Sequence, residues 1–291
     1  MSHFKIITDS SCDLPENLLQ SYDVSVTDLI INFPDQVYRD RKDITTEELL
    51  KRCDAKKTFP KTSALNIPEL MDTFSYELKT NEHLFYLPIS SAISSLSNNA
   101  CLAAEQMQAT DKITVLESAS LSSGIGLEVI GLGEDIRKGL SLEEIVHNHE
   151  ERVKRICMSF VIDTMDYLYR GGRCSGMTYL IGNKLHLHPI IRLDNGKMNV
   201  HKLVRGKDIN RGVREMIDEF QKQLDNGNID LSYPILIPNV EAGGAVHHLR
   251  HEMDGIVGSK ILFPVDASGI ICCHCGRNTC GLAYMLKNPL K

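Results

Sequence analysis

Short apolar runs alternate along the chain with segments of helical spacing, the arrangement expected when parallel strands are joined by helices that cover the sheet. Residues 3–8 predict a first strand. Pro15 suits the first turn of a helix reaching Tyr22, residues 24–32 predict a second strand, and a polar segment follows. Thr45 with Glu48 has capping-box spacing for a helix to Cys53, and Asn66 with Pro68 and Glu69 opens another to Leu78.

Residues 84–89 and 113–116 read as buried strands, each running into a serine-rich turn and then a helix, from about Ser94 and Ser122. In an open α/β sheet, ligands sit at the carboxyl ends of the strands, where helix N-termini present unpaired N–H groups. Thr8, Ser10, Thr62, Ser63, the serines of residues 90–95, Ser118 and Ser122 gather at such positions, with His274 later in the chain. A lone serine there is usually a helix cap. Recurrence after several strands points instead to an anion site, because hydroxyls and N–H groups receive a carboxylate or phosphate without a metal.

Ser141 and Glu144 form a further capping box, opening a charged helix to about Arg155 that closes a first domain. Beyond it the pattern changes. Residues 157–162 predict a strand, and a helix then ends at Gly171 and Gly172. Asp194, Asn195 and Gly196 mark the turn of a hairpin between residues 187–193 and 197–204, which implies antiparallel pairing. A helix over 207–224, a strand over 233–238, a helix over 241–253 and strands near Ile261 and Ile270 complete a mixed second domain. The expected fold is two α/β domains: residues 1–155 with a mainly parallel sheet and flanking helices, and residues 156–291 with a mixed sheet and a hairpin.

Composition narrows the partners. The 291 residues allow two ordinary domains, and 42% hydrophobic with 24% charged residues exclude a disordered, collagen-like or coiled-coil chain. A formal net charge of −6 has the wrong sign for gripping a phosphate backbone, so no nucleic acid partner is expected. The nine cysteines are odd in number and scattered, which points to a reduced, cytoplasmic protein. Asp9 interrupts the first apolar residues, so no secretion signal is visible. The uncharged run over 84–104 is long enough to span a bilayer, but its serines and asparagines argue against an integral membrane segment.

Three other motifs compete for the chemistry. Gly124 with Gly126 and Gly131 with Gly133 lack the third glycine of a dinucleotide fingerprint, and no Gly-x-x-x-x-Gly-Lys-Ser/Thr loop occurs, so these glycines are read as close-packing positions and no cofactor is expected. Cys272, Cys273, His274, Cys275 and Cys280 are zinc-ligand types. They offer one Cys-x-x-Cys without a second pair, on an expected strand whose alternate residues face opposite ways, so they are read as buried thiols and no metal is expected. Gly172-Arg173-Cys174-Ser175-Gly176 resembles a nucleophile elbow with cysteine in place of serine. It keeps open an alternative function, a cysteine or serine hydrolase of acyl esters using His274. An elbow needs a strand before it, whereas residues 163–170 read as helical, so the plainer reading is a helix stop at Gly171 and Gly172.

Taken in order, these segments resemble the DegV family, the bacterial fatty-acid-binding proteins that serve as the acyl-carrying subunit of fatty acid kinase. The likeness covers nearly the whole chain. Thr8-Asp9-Ser10-Ser11-Cys12-Asp13-Leu14 is similar to the family's first strand and turn, and Tyr38-Arg39-Asp40 to its following polar segment. Thr62-Ser63 resembles its Thr-Ser loop, and Ser90 to Ser95 its Ser-Ser-x-Leu-Ser-Gly turn. Glu117-Ser118 with Ser122, Gly124 and Gly126 is similar to its Asp-Ser-x-x-x-Ser-x-Gly-x-Gly segment. Tyr167 to Arg173 resembles its Leu-x-x-Gly-Gly-Arg stretch, Pro189-Ile190-Ile191 its approach to the hairpin, Arg205-Gly206 its Arg-Gly, and His274-Cys275-Gly276 the start of its His-Thr-Gly-Pro-Gly motif. Departures are Arg277-Asn278 for Pro-Gly, Ser95 for glycine, Glu117 for Asp and Cys174 for an aliphatic residue.

The resemblance implies an acyl chain in a tunnel between the two domains, its carboxylate held by Thr62 and Ser94 with Ser63, Ser95 and His274 beside them, and Ser10, Ser118 and Ser122 in the neighbourhood. It also implies that Arg205 and His274 support phosphoryl transfer by a separate ATP-dependent fatty acid kinase, the chain itself being a carrier of long-chain fatty acid with no catalytic residues. A monomer or weak dimer is expected.

Overall fold

The structure is a computed structural model and describes residues 4–173 and 186–290. β1 (Phe4–Asp9) leads to α1 (Glu16–Ser21), β2 (Val24–Thr27), β3 (Ile30–Asn32), β4 (Val37–Arg39) and α2 (Thr46–Lys56). β5 (Lys61–Ser63), α3 (Ile67–Glu77), β6 (His83–Leu87), α4 (Leu96–Gln106), β7 (Ile113–Val115), α5 (Ser123–Arg137) and α6 (Leu142–Val153) complete the first half. The second half runs through β8 (Ile156–Val161), α7 (Asp166–Arg170), β9 (Leu187–Asp194), β10 (Lys197–Arg205) and α8 (Asn210–Asp225). It ends with β11 (Ile235–Val240), α9 (Gly243–Val257), β12 (Leu262–Asp266), α10 (Gly269–Cys275) and β13 (Thr279–Met285).

Among the described residues the strands form three sheets. The first domain is built on a parallel sheet in the order β2-β1-β6-β7, whose central strand β6 is buried at every position, as a strand covered by helices on both faces must be. The second domain carries a mixed sheet in the order β10-β9-β8-β13-β11-β12. Asn195 (φ 47°) and Gly196 (φ 75°) turn its β9–β10 hairpin with the two left-handed residues that match the twist of the strands. All three capping boxes read from the sequence are formed, at Thr45 and Glu48, Asn66 and Glu69, and Ser141 and Glu144, each satisfying N–H groups that a first helical turn leaves unpaired.

Two expected elements are corrected. The strand expected over residues 24–32 is two strands in different sheets: β2 pairs with β1, whereas β3 pairs with β4 and β5 in a small antiparallel sheet. The break comes where Ser10 takes over the pairing, its N–H donating to Thr27 O at 2.9 Å and its Oγ accepting from Leu29 N at 3.2 Å. The strand expected near Ile270 is the helix α10, and the strand follows only at β13. Seven residues are too few for periodicity to separate helix from strand, and capping decides: Ser268 Oγ accepts from Ile271 N. Cys272, Cys273, His274 and Cys275 therefore lie on a helix, so the strand argument applied to them does not hold. Among the described residues no group of three or more His, Cys, Asp or Glu side chains could hold a metal ion, and no helix is long and apolar enough to cross a membrane.

Candidate functional site

α10 belongs to the second half of the chain but is seated by carboxylates of the first. Asp40, which follows β4, accepts from Gly269 N at 3.0 Å and Ile270 N at 3.3 Å, and Asp13 accepts from Ser268 N at 2.8 Å. Carboxylates at a helix N-terminus pair its free N–H groups and meet the favourable end of its dipole. Both are buried, and burial pushes Asp13 up to about 7 and Asp40 up to about 6 against the hydrogen bonds that favour their charge. Asp9 does the same for the loop after β6, accepting from Ile89 N at 2.7 Å, and burial likewise raises its pKa.

Seated this way, α10 faces β5, the loop over residues 89–94, the end of α7 and β10 across a narrow cavity of about 50 Å³. Thr62, Ser63, Ser94, Arg173 and His274 supply its polar groups, while Leu29, Ile93, Leu121, Leu168, Met198 and Ile271 supply apolar walls. Leu121, Ile271 and Cys275 also line a narrow adjoining apolar recess bounded by Met158, Phe160, Pro238 and Val240. The polar side chains there have partners: Ser122 Oγ donates to Asp13 Oδ2 at 2.5 Å, Asn239 Nδ2 to Val265 O at 3.0 Å, and Thr279 Oγ1 to Cys275 O at 3.1 Å. The geometry is one polar end and an apolar interior.

At the polar end, Thr62 Oγ1 lies 2.8 Å from His274 Nε2, while Nδ1 has no hydrogen-bond partner among the described residues and rests against Gly171, where an added Cβ would come within 2.2 Å. Burial, helped by the Arg173 guanidinium, pushes His274 down to about 4, so the imidazole is neutral at pH 7. Arg173 is held by its own Nη1 donating to Gly171 O at 2.7 Å. A neutral imidazole, two hydroxyls and a guanidinium suit an incoming anion. They do not favour a hydrolase, since among the described residues no acid meets His274 Nδ1 and its Nε2 meets Thr62 rather than a serine or cysteine. Cys174 lies outside the described residues.

Of the residues singled out from the sequence, Thr62, Ser63, Ser94 and His274 come together at this cavity. Ser95 is exposed beside it at the N-cap of α4 without a capping bond. Ser10 and Ser118 are buried in backbone contacts, with Leu29 N and with the Ser120 backbone, and Ser122 borders the adjoining recess. Arg205 is exposed at the end of β10 and does not line the cavity. The cavity's cation is Arg173, which sequence reasoning left inside a glycine motif; a charge beside an expected anion site was the signal available.

Comparison with known proteins decides the family. A family model described as an uncharacterised protein of the DegV family matches residues 3–287. The chain belongs to the DegV family. It is similar to a DegV domain-containing protein of Caldanaerobacter subterraneus, 33% identical over 75% of this chain and 76% of that one, and to another of Clostridium acetobutylicum, 27% identical over 99% and 100%. Among solved structures, a DegV family protein from Thermus thermophilus described by its fatty acid binding superposes with a TM-score of 0.85, at 27% identity and over 98% of this chain and all of that one. A stearic-acid-binding protein from Eubacterium ventriosum has the same fold, with a TM-score of 0.86 at 23% identity over 98% of each chain.

In this DegV chain the Arg277-Asn278 departure is built into the loop after α10. Arg277 pairs with Asp54 on α2 at 2.7 Å and also with Glu241, so the loop is tied to both halves of the chain. Asn278 (φ 53°) supplies a left-handed residue, and Gly276 (φ 73°) lets the backbone pack on the Tyr167 ring, where a Cβ would come within 2.5 Å.

Proposed function

We propose that this DegV protein is a carrier that buries a long fatty acyl chain and presents its carboxylate to a separate ATP-dependent kinase for conversion to an acyl phosphate. The observation that carries the reading is the cavity with hydroxyl, imidazole and guanidinium groups at one end, apolar walls, and an apolar recess adjoining it. The fatty acid binding of the Thermus thermophilus relative supports it. Burying about 14 methylenes at roughly 0.8 kcal/mol each gives on the order of 11 kcal/mol gross, enough for tight binding after ordering costs. Affinity comes from the tail. The carboxylate is costly to bury without partners, which gives Thr62, Ser94, His274 and Arg173 their task.

In acyl phosphate formation a carboxylate oxygen attacks the γ-phosphorus of ATP and ADP leaves, so no proton needs to be abstracted. This chain has no phosphate loop, and a separate kinase supplies ATP, magnesium and the transfer groups. The carrier supplies position and positive charge: His274 positions the head group, and Arg173 beside it and Arg205 on the surface carry the charge. The test is a mixture of the chain, oleate, ATP and the cognate kinase, with acyl phosphate trapped by hydroxylamine. Product is expected only from the complete mixture. Arg205→Ala is expected to retain bound fatty acid yet lose most turnover, and His274→Ala to lose both affinity and turnover, whereas ATP consumption by this chain alone contradicts the reading.

A further inference from the structure

The β9–β10 hairpin ends with Leu187 and Arg205 in register, and one residue inward His188 stands opposite Val204, only 1% exposed. Its Nε2 lies 3.2 Å from the Gly206 carbonyl oxygen, which only accepts, so that nitrogen carries the proton. Its Nδ1 faces the Asp163 carboxylate at 3.3 Å, an ion pair when that nitrogen also carries a proton. Asp163 stands between β8 and α7, the segment that goes on to Leu168 and Arg173 on the cavity wall. A strand position between apolar neighbours favours an aliphatic side chain, and a polar ring there is worthwhile only through its partners.

The backbone around Arg205 is fixed from two further directions. Gly206 N donates to His186 O at 3.0 Å, and Arg211 Nη1 donates to Arg205 O at 3.1 Å. The Arg205 side chain stays exposed on a held turn. His188 is the side chain that touches both this turn and the approach to α7.

We propose that His188 is a positioning residue that ties the Arg205–Gly206 turn to α7, so that filling the cavity beside Leu168 and Arg173 is felt at Arg205. This rests on the carrier reading and adds to it a link between head-group site and exposed cation. A loaded carrier then presents Arg205 differently from an empty one.

Hydrogen–deuterium exchange on the full chain, with and without oleate, tests this. In the parent, oleate is expected to slow exchange at the Gly206 amide by about tenfold. His188→Gln keeps an N–H donor for Gly206 but gives up the approach to Asp163. It is expected to lose most of that response while displacement of a fluorescent fatty acid by oleate changes by less than about twofold. His188→Leu, which gives up both contacts, is expected to lose the response as well, a ligand-dependent readout that a merely structural role would not move. An oleate response at Gly206 that is absent in the parent, or unchanged in both His188→Gln and His188→Leu, overturns the proposal. Failure of the parent to bind oleate in the displacement assay overturns the carrier reading, and the link with it.

Discussion

Thr62 Oγ1 and His274 Nε2 lie 2.8 Å apart although 212 residues separate them in the chain. The contact exists because Asp13 and Asp40 seat α10 against the first domain, so the head-group site depends on that docking. Thr62→Val keeps the shape of the side chain but strands the imidazole nitrogen. Fatty acid affinity is expected to fall by about 1–3 kcal/mol, and Ser94→Ala to act in the same direction. Titration with a fluorescent fatty acid checks both, and parent-like binding in the two variants removes these residues from the head-group site.

Arg173 acts on His274 through space. Its guanidinium helps burial hold the imidazole at about 4, so Arg173→Ala is expected to raise the His274 pKa and to weaken carboxylate binding together. An NMR pH titration of the His274 ring reads the first effect directly. An unmoved titration means that the two groups do not communicate.

Gly171 tests the packing of the same ring. Its backbone is right-handed helical (φ −73°), so alanine is tolerated there by the chain, and the new Cβ meets the His274 ring most closely, with the Tyr167 carbonyl oxygen next at 3.1 Å. Gly171→Ala is expected to displace the imidazole and cut fatty acid affinity about tenfold while the unfolding midpoint changes little. Unchanged affinity places the ring elsewhere.

Seating of α10 gives stability a definite pH dependence. Asp13 is raised by burial from its ordinary 3.8 to about 7, so between those values the folded chain holds a proton that the unfolded chain releases. This stabilisation is complete below about pH 4 and is lost as pH rises through 7. Asp40, raised to about 6, has the same sign, whereas His274, lowered to about 4, opposes it as pH falls below 6.5. Between pH 5 and pH 8 the parent is expected to lose roughly 2–3 kcal/mol relative to Asp13→Asn in urea unfolding. Parallel pH curves for the two proteins contradict the burial of a titrating Asp13.

Local signals carried most of the fold. The capping boxes at Thr45, Asn66 and Ser141 and the Asn195-Gly196 turn depend on neighbours within a few residues, and each was legible. The sheet switch at Thr27 and the helix at Gly269 were not, because both are decided by distant partners: Ser10 takes the pairing that would have continued β2, and Asp40 caps a helix 229 residues away. The site divides in the same way. Thr62, Ser94 and His274 stood out as hydroxyls and an imidazole in ordered motifs, whereas Arg173 was obscured by the two glycines before it, and nothing local showed that Ser10 and Ser118 turn inward to backbone.

The measurement that bears most directly on the carrier reading is mass spectrometry of an organic extract from the purified chain, alongside displacement of a fluorescent fatty acid from the delipidated protein. The expected result is a long-chain fatty acid near one per chain, with displacement weakened in Thr62→Val and Arg173→Ala. A chain that yields no fatty acid and, once delipidated, binds none contradicts it.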